Sequence, residues 1–209
     1  AVIREVLSNA FAHQDLSSEE DGIVIEIFKN RVEITNSGKP VLDQLHFLDG
    51  APTIKNKRVF TEMKNLGLVD GQGYGWRKIV KELESRSLPA PEIKIRKNSI
   101  TVTIWFEKPL KLLSLDQRNW TVYLHTVLRY LLNEPANNAS LRQRLNLPES
   151  KSSTVSKLFR QAAEGGLVKP FDQHSSNKTK KYLPAWSQAS SRIPVKTKDY
   201  DKLKLEEEK

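Results

Sequence analysis

Two stretches of alternating character, GIVIEIFKNRVEITNSG (22–38) and EIKIRKNSITVTIWF (92–106), each interrupted at a Lys-Asn pair, limit most strongly what this chain can become. Apolar residues at every second position belong on one face of a strand, and a short polar break between two such runs is a hairpin signal. The first run puts Ile23, Ile25 and Ile27 on one face and turns at Lys29-Asn30; the second predicts another hairpin. Between them the period changes to that of a helix. KNKRVFTEMKNLGLVD (55–70) reads as a helix ending at Gly67, and GWRKIVKELESRSL (75–88) as one stopped by Pro89. Ahead of both hairpins, IREVLSNAFAHQD (3–15) carries Ile3, Val6, Leu7, Ala10 and Phe11 at the spacing of a buried helical stripe. Residues 1–109 therefore predict an α+β layer, with helices on one face of an antiparallel sheet.

Pro109 and LKLLSL (110–115) mark a boundary. Beyond it, a long helix is expected over 114–133, with Trp120, Leu124, Val127, Leu128 and Leu131 as core. ASLRQRLNL (139–147) gives a second helix, and SKSSTVSKLFRQAAEGGLV (150–168) a third that ends at Gly165-Gly166. Two alternating pieces, GLVKPF and KKYLPAW, flank the polar loop DQHSSNKTK (172–180). Three helices and a basic hairpin predict a winged helix-turn-helix domain over 110–186 that folds independently, followed by a polar tail or linker over 187–209.

Charge follows this division. The chain is formally +9, and the 77 residues from 110 to 186 hold 12 Lys and Arg against 5 Asp and Glu, so most of the excess sits there. A polyanion is attracted to such a segment. With no cysteine, disulfides and thiolate metal sites are excluded. No run reaches the roughly 18–20 apolar residues of a membrane span, mean hydropathy is below zero, and a cytoplasmic protein is expected. The four His are scattered without ligand spacing.

In the first helix, Glu5, Asn9 and His13 recur every four residues and form a polar row beside the apolar stripe. The row reads either as a polar helix edge tied to a neighbouring loop or as one wall of a ligand site. His13 also suits a helix C-terminus, where the dipole favours a cation.

REVLSNAFAHQD (4–15) resembles the Arg-Glu-Ala-Leu-x-Asn-Ala-x-x-His-Arg-Asp segment of a bacterial and archaeal regulator group related to the RecG C-terminal region. In that group a divergent GHKL-type ATPase module commonly follows a Schlafen/AlbA-like domain. NKRVFTEMKNLGLVDGQGYGWRKI is similar to the group's Leu-Gly-Leu-Val-Glu and Gly-x-Gly-Ile-x-Arg-Ile series, with Arg58, Leu66, Gly67, Leu68, Val69, Gly73, Gly75, Arg77 and Ile79 in register. VEITNSG resembles its Ile-Glu-Ile-Thr-Asn-Pro-Gly strand and turn. Together with the absence of a starting Met, this leads to the expectation of an upstream Schlafen/AlbA-like domain in a longer chain.

The resemblance implies a GHKL-like two-layer α/β sandwich and a site for ATP with magnesium. Glu5 would take the place of the general base and Asn9 that of the magnesium ligand. Asn36 and Gly38 would stand at the adenine turn, and Gly71, Gly73 and Gly75 at the phosphates. The chain departs from active enzymes at Asn36, where an Asp accepts from the adenine amino group, and at Trp76, which replaces a small aliphatic; KNKRVF also lacks the group's Pro.

For the basic domain, the third helix would present Lys151, Ser152, Ser153, Thr154, Ser156, Lys157 and Arg160 to double-stranded DNA. Lys178, Lys180 and Lys181 would lie on the wing. Three readings follow: a DNA-binding transcriptional regulator with a degenerate nucleotide-binding module, an ATP-hydrolysing enzyme coupled to DNA binding, and a protein-interaction or dimerisation module. Homo-oligomer formation, the effector and the DNA sequence are left open.

Overall fold

The computed structural model describes residues 1–17, 22–39, 43–50, 53–69, 71, 74–172 and 180–188. Six α-helices and seven strands occupy them: α1 (Val2–His13), β1 (Val24–Ile27), β2 (Arg31–Ser37), α2 (Lys57–Asn65), α3 (Gly75–Ser85), β3 (Glu92–Ile95), β4 (Ser99–Trp105), α4 (Leu115–Leu131), β5 (Ala136–Asn137), α5 (Asn138–Arg144), α6 (Ser152–Glu164), β6 (Val168–Pro170) and β7 (Lys181–Pro184).

Both alternating stretches are hairpins, and they join into one antiparallel sheet of order β1-β2-β4-β3. The joint is the long β2–β4 ladder, with Ile34 opposite Val102 and Val32 opposite Ile104. These four side chains face α1 and α3 and form a core with Val6, Ala10, Ile79 and Leu83. The opposite face carries Thr35 and Thr101, whose hydroxyls meet at 2.9 Å. Alternation gives each strand a face but not a place in the sheet. Because β1 is an edge beyond the reach of the helices, Ile25 and Ile27 remain 48% and 78% exposed although they lie on the helix side.

The first helix also departs from the expected stripe. Phe11 is exposed, whereas Ser8 and Ala12 are buried. α1 is covered not only by the sheet but also by α3 and α2, the latter through a small cluster of Ala12, Met63 and Val69. A single-stripe pattern cannot report a helix packed on several sides. α2 ends near Gly67 at φ +68°, a left-handed conformation in which glycine carries no side-chain penalty.

In the second half, Ser114 caps α4 in a reciprocal capping box with Gln117, and Asn137 caps α5 in another with Ser140. α4 is buried almost all round, with Val122, Tyr123, Leu124, Val127 and Leu128 at its centre. α5 and α6 pack beside it over a three-stranded sheet of order β5-β7-β6. β5 has only two residues, too few to alternate, so the sequence pattern does not reveal it.

The core of this half does not stop at Pro109. Leu48, Val80 and Ala90 are buried members of it, with Phe47 and Trp76 packed alongside. Hydrogen bonds cross as well. Trp120 Nε1 donates to Pro91 O at 3.0 Å, Gln117 Nε2 to Glu92 Oε1 at 2.7 Å, and the Tyr123 hydroxyl to Leu45 O. The division at 109 is therefore one of chain order, with a packed and hydrogen-bonded seam between the halves. The expected tail beyond residue 188 lies outside the described residues.

The seam has a titratable member. Trp186 Nε1 donates to the Tyr123 hydroxyl at 2.9 Å. Burial pushes the Tyr123 phenol from about 10 up to about 12, the Trp186 hydrogen bond pulls it down, and the Asp49 and Asp43 charges raise it. Between those two values the folded chain keeps a proton that the unfolded chain loses, so stability must fall as pH rises through that window. Tyr123→Phe should flatten this part of the urea-midpoint profile and, at neutral pH, cost about 1–3 kcal/mol because Leu45 O and the Trp186 N–H lose their partner. Parallel profiles for the two proteins would show that the phenol is solvated.

Candidate functional site

A cavity of about 240 Å³ opens between α1, the start of α3 and the sheet. Glu5, Asn9 and His13 line it from α1, Asn36 from the end of β2, and Gly71 and Gly75 from the segment that leads into α3. The structure thus brings together five of the expected nucleotide-site residues, Glu5, Asn9, Asn36, Gly71 and Gly75. Gly38 is next to the cavity but has a different task. It sits at φ +126°, and a Cβ there would lie 3.1 Å from His13 O, so it permits the close passage of the β2 end past the α1 end. Gly73 lies outside the described residues.

The centre of the site is Gly75. A Cβ on this residue would stand 2.6 Å from Glu5 Oε1 and 3.3 Å from both amide atoms of Asn9. Glu5 and Asn9, one turn apart on α1, therefore converge on the first turn of α3. No side-chain cap closes that end of α3. A carboxylate at this position faces the positive end of the helix dipole. Among the described residues Asn9 Nδ2 is buried without a hydrogen-bond partner, an arrangement that costs roughly 1–3 kcal/mol unless something else accepts from it.

Asn36 is buried, and its Nδ2 donates to Ser37 O at 3.1 Å. Next to it, Ser37 is held by Gln14, whose Nε2 donates to the Ser37 hydroxyl at 2.7 Å and whose Oε1 accepts from Ser37 N at 3.1 Å. These bonds fix the β2 end against α1. His13 is held below its ordinary pKa, first by burial and then by the Lys55 charge, which favours the neutral imidazole. Lys39 and Lys78 bring positive charge to the lining.

Sequence reasoning singled out Trp76 as a large side chain at this site but missed its partner Phe47. Phe47 and Trp76 both line the cavity and stack on one another, with ring centroids 5.2 Å apart and planes at 21°. Trp76, a departure from the resembled pattern, packs against both main cores. Arg77 Nε, one residue on, donates to Leu48 O at 2.5 Å and fixes the Phe47-bearing loop to α3.

The donor set can be tested against magnesium. Among the described residues no group of three or more His, Asp or Glu side chains is placed to hold a metal. Asn9 offers one amide oxygen. Magnesium keeps several waters and binds through one or two protein groups plus phosphates, so Asn9 with a bound phosphate fits this ion, whereas an all-protein metal cage does not.

The second set of expected residues is exposed along α6. Lys151, Ser152, Ser153, Thr154, Lys157 and Arg160 point outward, while Val155, Leu158 and Phe159 are buried. Ser153, Thr154, Lys157 and Arg160 line a groove shared with Lys180 and Tyr182, and Lys181 is exposed next to it. Ser152 is committed locally, since its hydroxyl donates to Asn138 Oδ1 at 3.2 Å. Lys178 lies outside the described residues.

Residues 20–104 match the family model described as "Putative ATP-dependent DNA helicase recG C-terminal". The match takes in the four-stranded sheet, α2, α3, Asn36, Gly71 and Gly75, and supports the RecG-like, ATPase-like character of this segment. It begins after α1, so Glu5 and Asn9 precede it. No curated protein matches the chain. Among solved structures, the crystal structure of the DIP2311 protein from Corynebacterium diphtheriae is similar over 88% of this chain, at 18% identity and a TM-score of 0.48. This chain spans 38% of that protein's length. Among the described residues no helix is long and apolar enough to cross a membrane.

Proposed function

We propose that the chain is a DNA-binding regulator: a degenerate GHKL-like module that binds a magnesium nucleotide, ATP in the first instance, joined to a winged-helix unit that engages double-stranded DNA through α6. The observation that carries the nucleotide reading is the convergence of Glu5 and Asn9 on Gly75 with Asn9 Nδ2 buried and, among the described residues, unpartnered. A phosphate oxygen at the α3 end would accept from that amide or share a magnesium ion with its oxygen, and the helix N-terminus favours the negative charge. The match over residues 20–104 adds support for an ATP-binding segment. Turnover is not expected. Asn36 is uncharged at the turn where active enzymes place an Asp, and base, metal ligand and nucleotide anchor must act together. The exposed basic face of α6 supports the DNA reading, and a cytoplasmic setting is part of the same proposal.

The test is a titration with a fluorescent ATP analogue, with and without magnesium. Wild type should bind saturably and more tightly with magnesium. Asn9→Ala should lose the magnesium dependence. Gly75→Ala should fold normally, because the clash is with the flexible end of Glu5, yet bind at least about tenfold more weakly since it displaces both side chains; this corresponds to about 1.4 kcal/mol. Phosphate release should stay at background. If wild type shows no saturable binding, Glu5 is simply an anion stabilising α3. Magnesium-dependent release lost in Glu5→Gln would make the chain an enzyme instead.

A further inference from the structure

We propose that α3 couples the cavity to the α6 face, so that a nucleotide bound at Gly75 changes the affinity of α6 for duplex DNA, with Glu84 at the far end of the helix as the positioning residue. This rests on the nucleotide reading above and adds the regulation of that site. α3 has 11 residues and spans about 16 Å at 1.5 Å per residue. Its first residue abuts Glu5 and Asn9. Along its length, Ile79 and Leu83 are seated in the sheet core and Val80 in the core of the second half, so the helix belongs to both.

At its end, Glu84 enters a buried polar cluster. His125 Nδ1 donates to Glu84 Oε2 at 3.0 Å, and His125 Nε2 meets Ser140 Oγ at 2.9 Å. Arg144 Nε lies 3.4 Å from Glu84 Oε1, and Arg144 Nη2 donates to Leu88 O at 2.6 Å. His125 and Arg144 are only 2% and 5% exposed. Ser140 belongs to the capping box of α5. Two residues before it, Asn138 Nδ2 donates to Ser152 O at 2.8 Å and to Ser156 Oγ at 3.0 Å, both on α6. From the cavity to the start of α6, every step is a helix, a hydrogen bond or an ion pair.

The residue types make this more than adjacency. Apolar side chains at the same seam would slide under a small shift of α3, because dispersion attraction is not directional. Glu84 has 14% of its side chain exposed, but the His and Arg it holds are 3% exposed and have few alternative partners and little water to replace it, so a displacement of Glu84 must carry His125 and Arg144 with it or break the pairs. Such a cluster has discrete arrangements, and that is what allows a ligand at one end to bias the other.

The experiment measures linkage in the full chain. Affinity for the fluorescent ATP analogue with magnesium is determined with and without a saturating random-sequence duplex, and duplex affinity with and without saturating analogue. Thermodynamic reciprocity demands the same factor both ways, and roughly 5- to 150-fold is expected in wild type. In Glu84→Gln each affinity measured alone should stay within about twofold while the factor falls to about one. His125→Gln serves the same purpose should the first variant fail to fold. Independently of DNA, the analogue should alter hydrogen exchange of α5 and α6 amides in wild type but not in either variant. Binding of both ligands with a factor of one, or a factor unchanged in the variants, overturns the coupling alone. No analogue binding by wild type overturns the nucleotide reading, and the coupling with it.

Discussion

Arg144→Ala should lower the unfolding free energy of the full chain by about 3–5 kcal/mol, as expected when one partner of a buried ion pair is removed. The guanidinium sits on the seam between the halves. Burial holds its pKa below the ordinary arginine value, and Glu84, by charge and hydrogen bond, pulls it back only in part, so the pair offsets part of its desolvation. Without it, Glu84 keeps its His125 bond but loses the guanidinium that balances its charge, and Leu88 O loses a donor. The measurement is a urea transition of wild type and variant at neutral pH. Arg86→Ala provides the contrast, since Arg86 pairs with Glu82 on the surface at 67% exposure, and its loss should fall within about 1 kcal/mol. Equal effects for the two would mean that water reaches the Glu84 cluster. The same seam bears on the expectation that residues 110–186 fold alone. Cut at 109, that fragment would expose the faces that Leu48, Val80 and Ala90 cover and leave Arg144 and His125 without Glu84.

The other large effect concerns duplex binding. Replacing Lys157, Arg160 and Lys180 together by Ala should reduce the slope of log affinity against log salt by about 2.7, from about 0.9 for each phosphate no longer neutralised. All three line one groove. Arg160 is held only loosely, 3.8 Å from an exposed Glu164, and remains able to reach a phosphate. Ser153 and Thr154, at the head of α6, should act differently. Their replacement should change sequence preference by roughly 1–3 kcal/mol for each base edge they read and leave the salt slope nearly unchanged. Affinity measured against salt on a selected and a random duplex separates the two behaviours. A triple variant with wild-type affinity and slope would take α6 off DNA and favour a protein-interaction role for this unit.

Local periodicity carried most of the elements. Both hairpins and all six helices occupy the stretches where the alternation or the helical spacing placed them, even where, as in α1 and α4, a helix is buried on more than one side. What periodicity could not carry was adjacency. Ile27 alternates as regularly as Ile34 does, yet one is 78% exposed at an edge and the other is 1% exposed in the core. The difference lies in strand order, which depends on pairing between residues some 70 positions apart. The site was legible to the same degree. The four-residue spacing of Glu5 and Asn9 put both on one side of α1, and Gly75 opened a helix. That the two features meet requires α1 and α3 to lie side by side on the sheet, which no local pattern encodes. The partnership of Glu84 with His125 and Arg144 joins residues that stand far apart in the chain, so no local pattern pairs them.

The stack of Phe47 on Trp76 makes the cavity wall optically addressable. The chain has four tryptophans, and Trp76 is the one in the cavity lining, with its indole against a phenyl ring and against both main cores. Indole emission depends on local polarity and on nearby quenchers, so the colour and intensity of this residue are set by the same packing that shapes the site. With the remaining indoles of Trp105, Trp120 and Trp186 replaced by phenylalanine, the emission spectrum becomes a single-residue record of what enters the cavity and of whether the two cores still meet there.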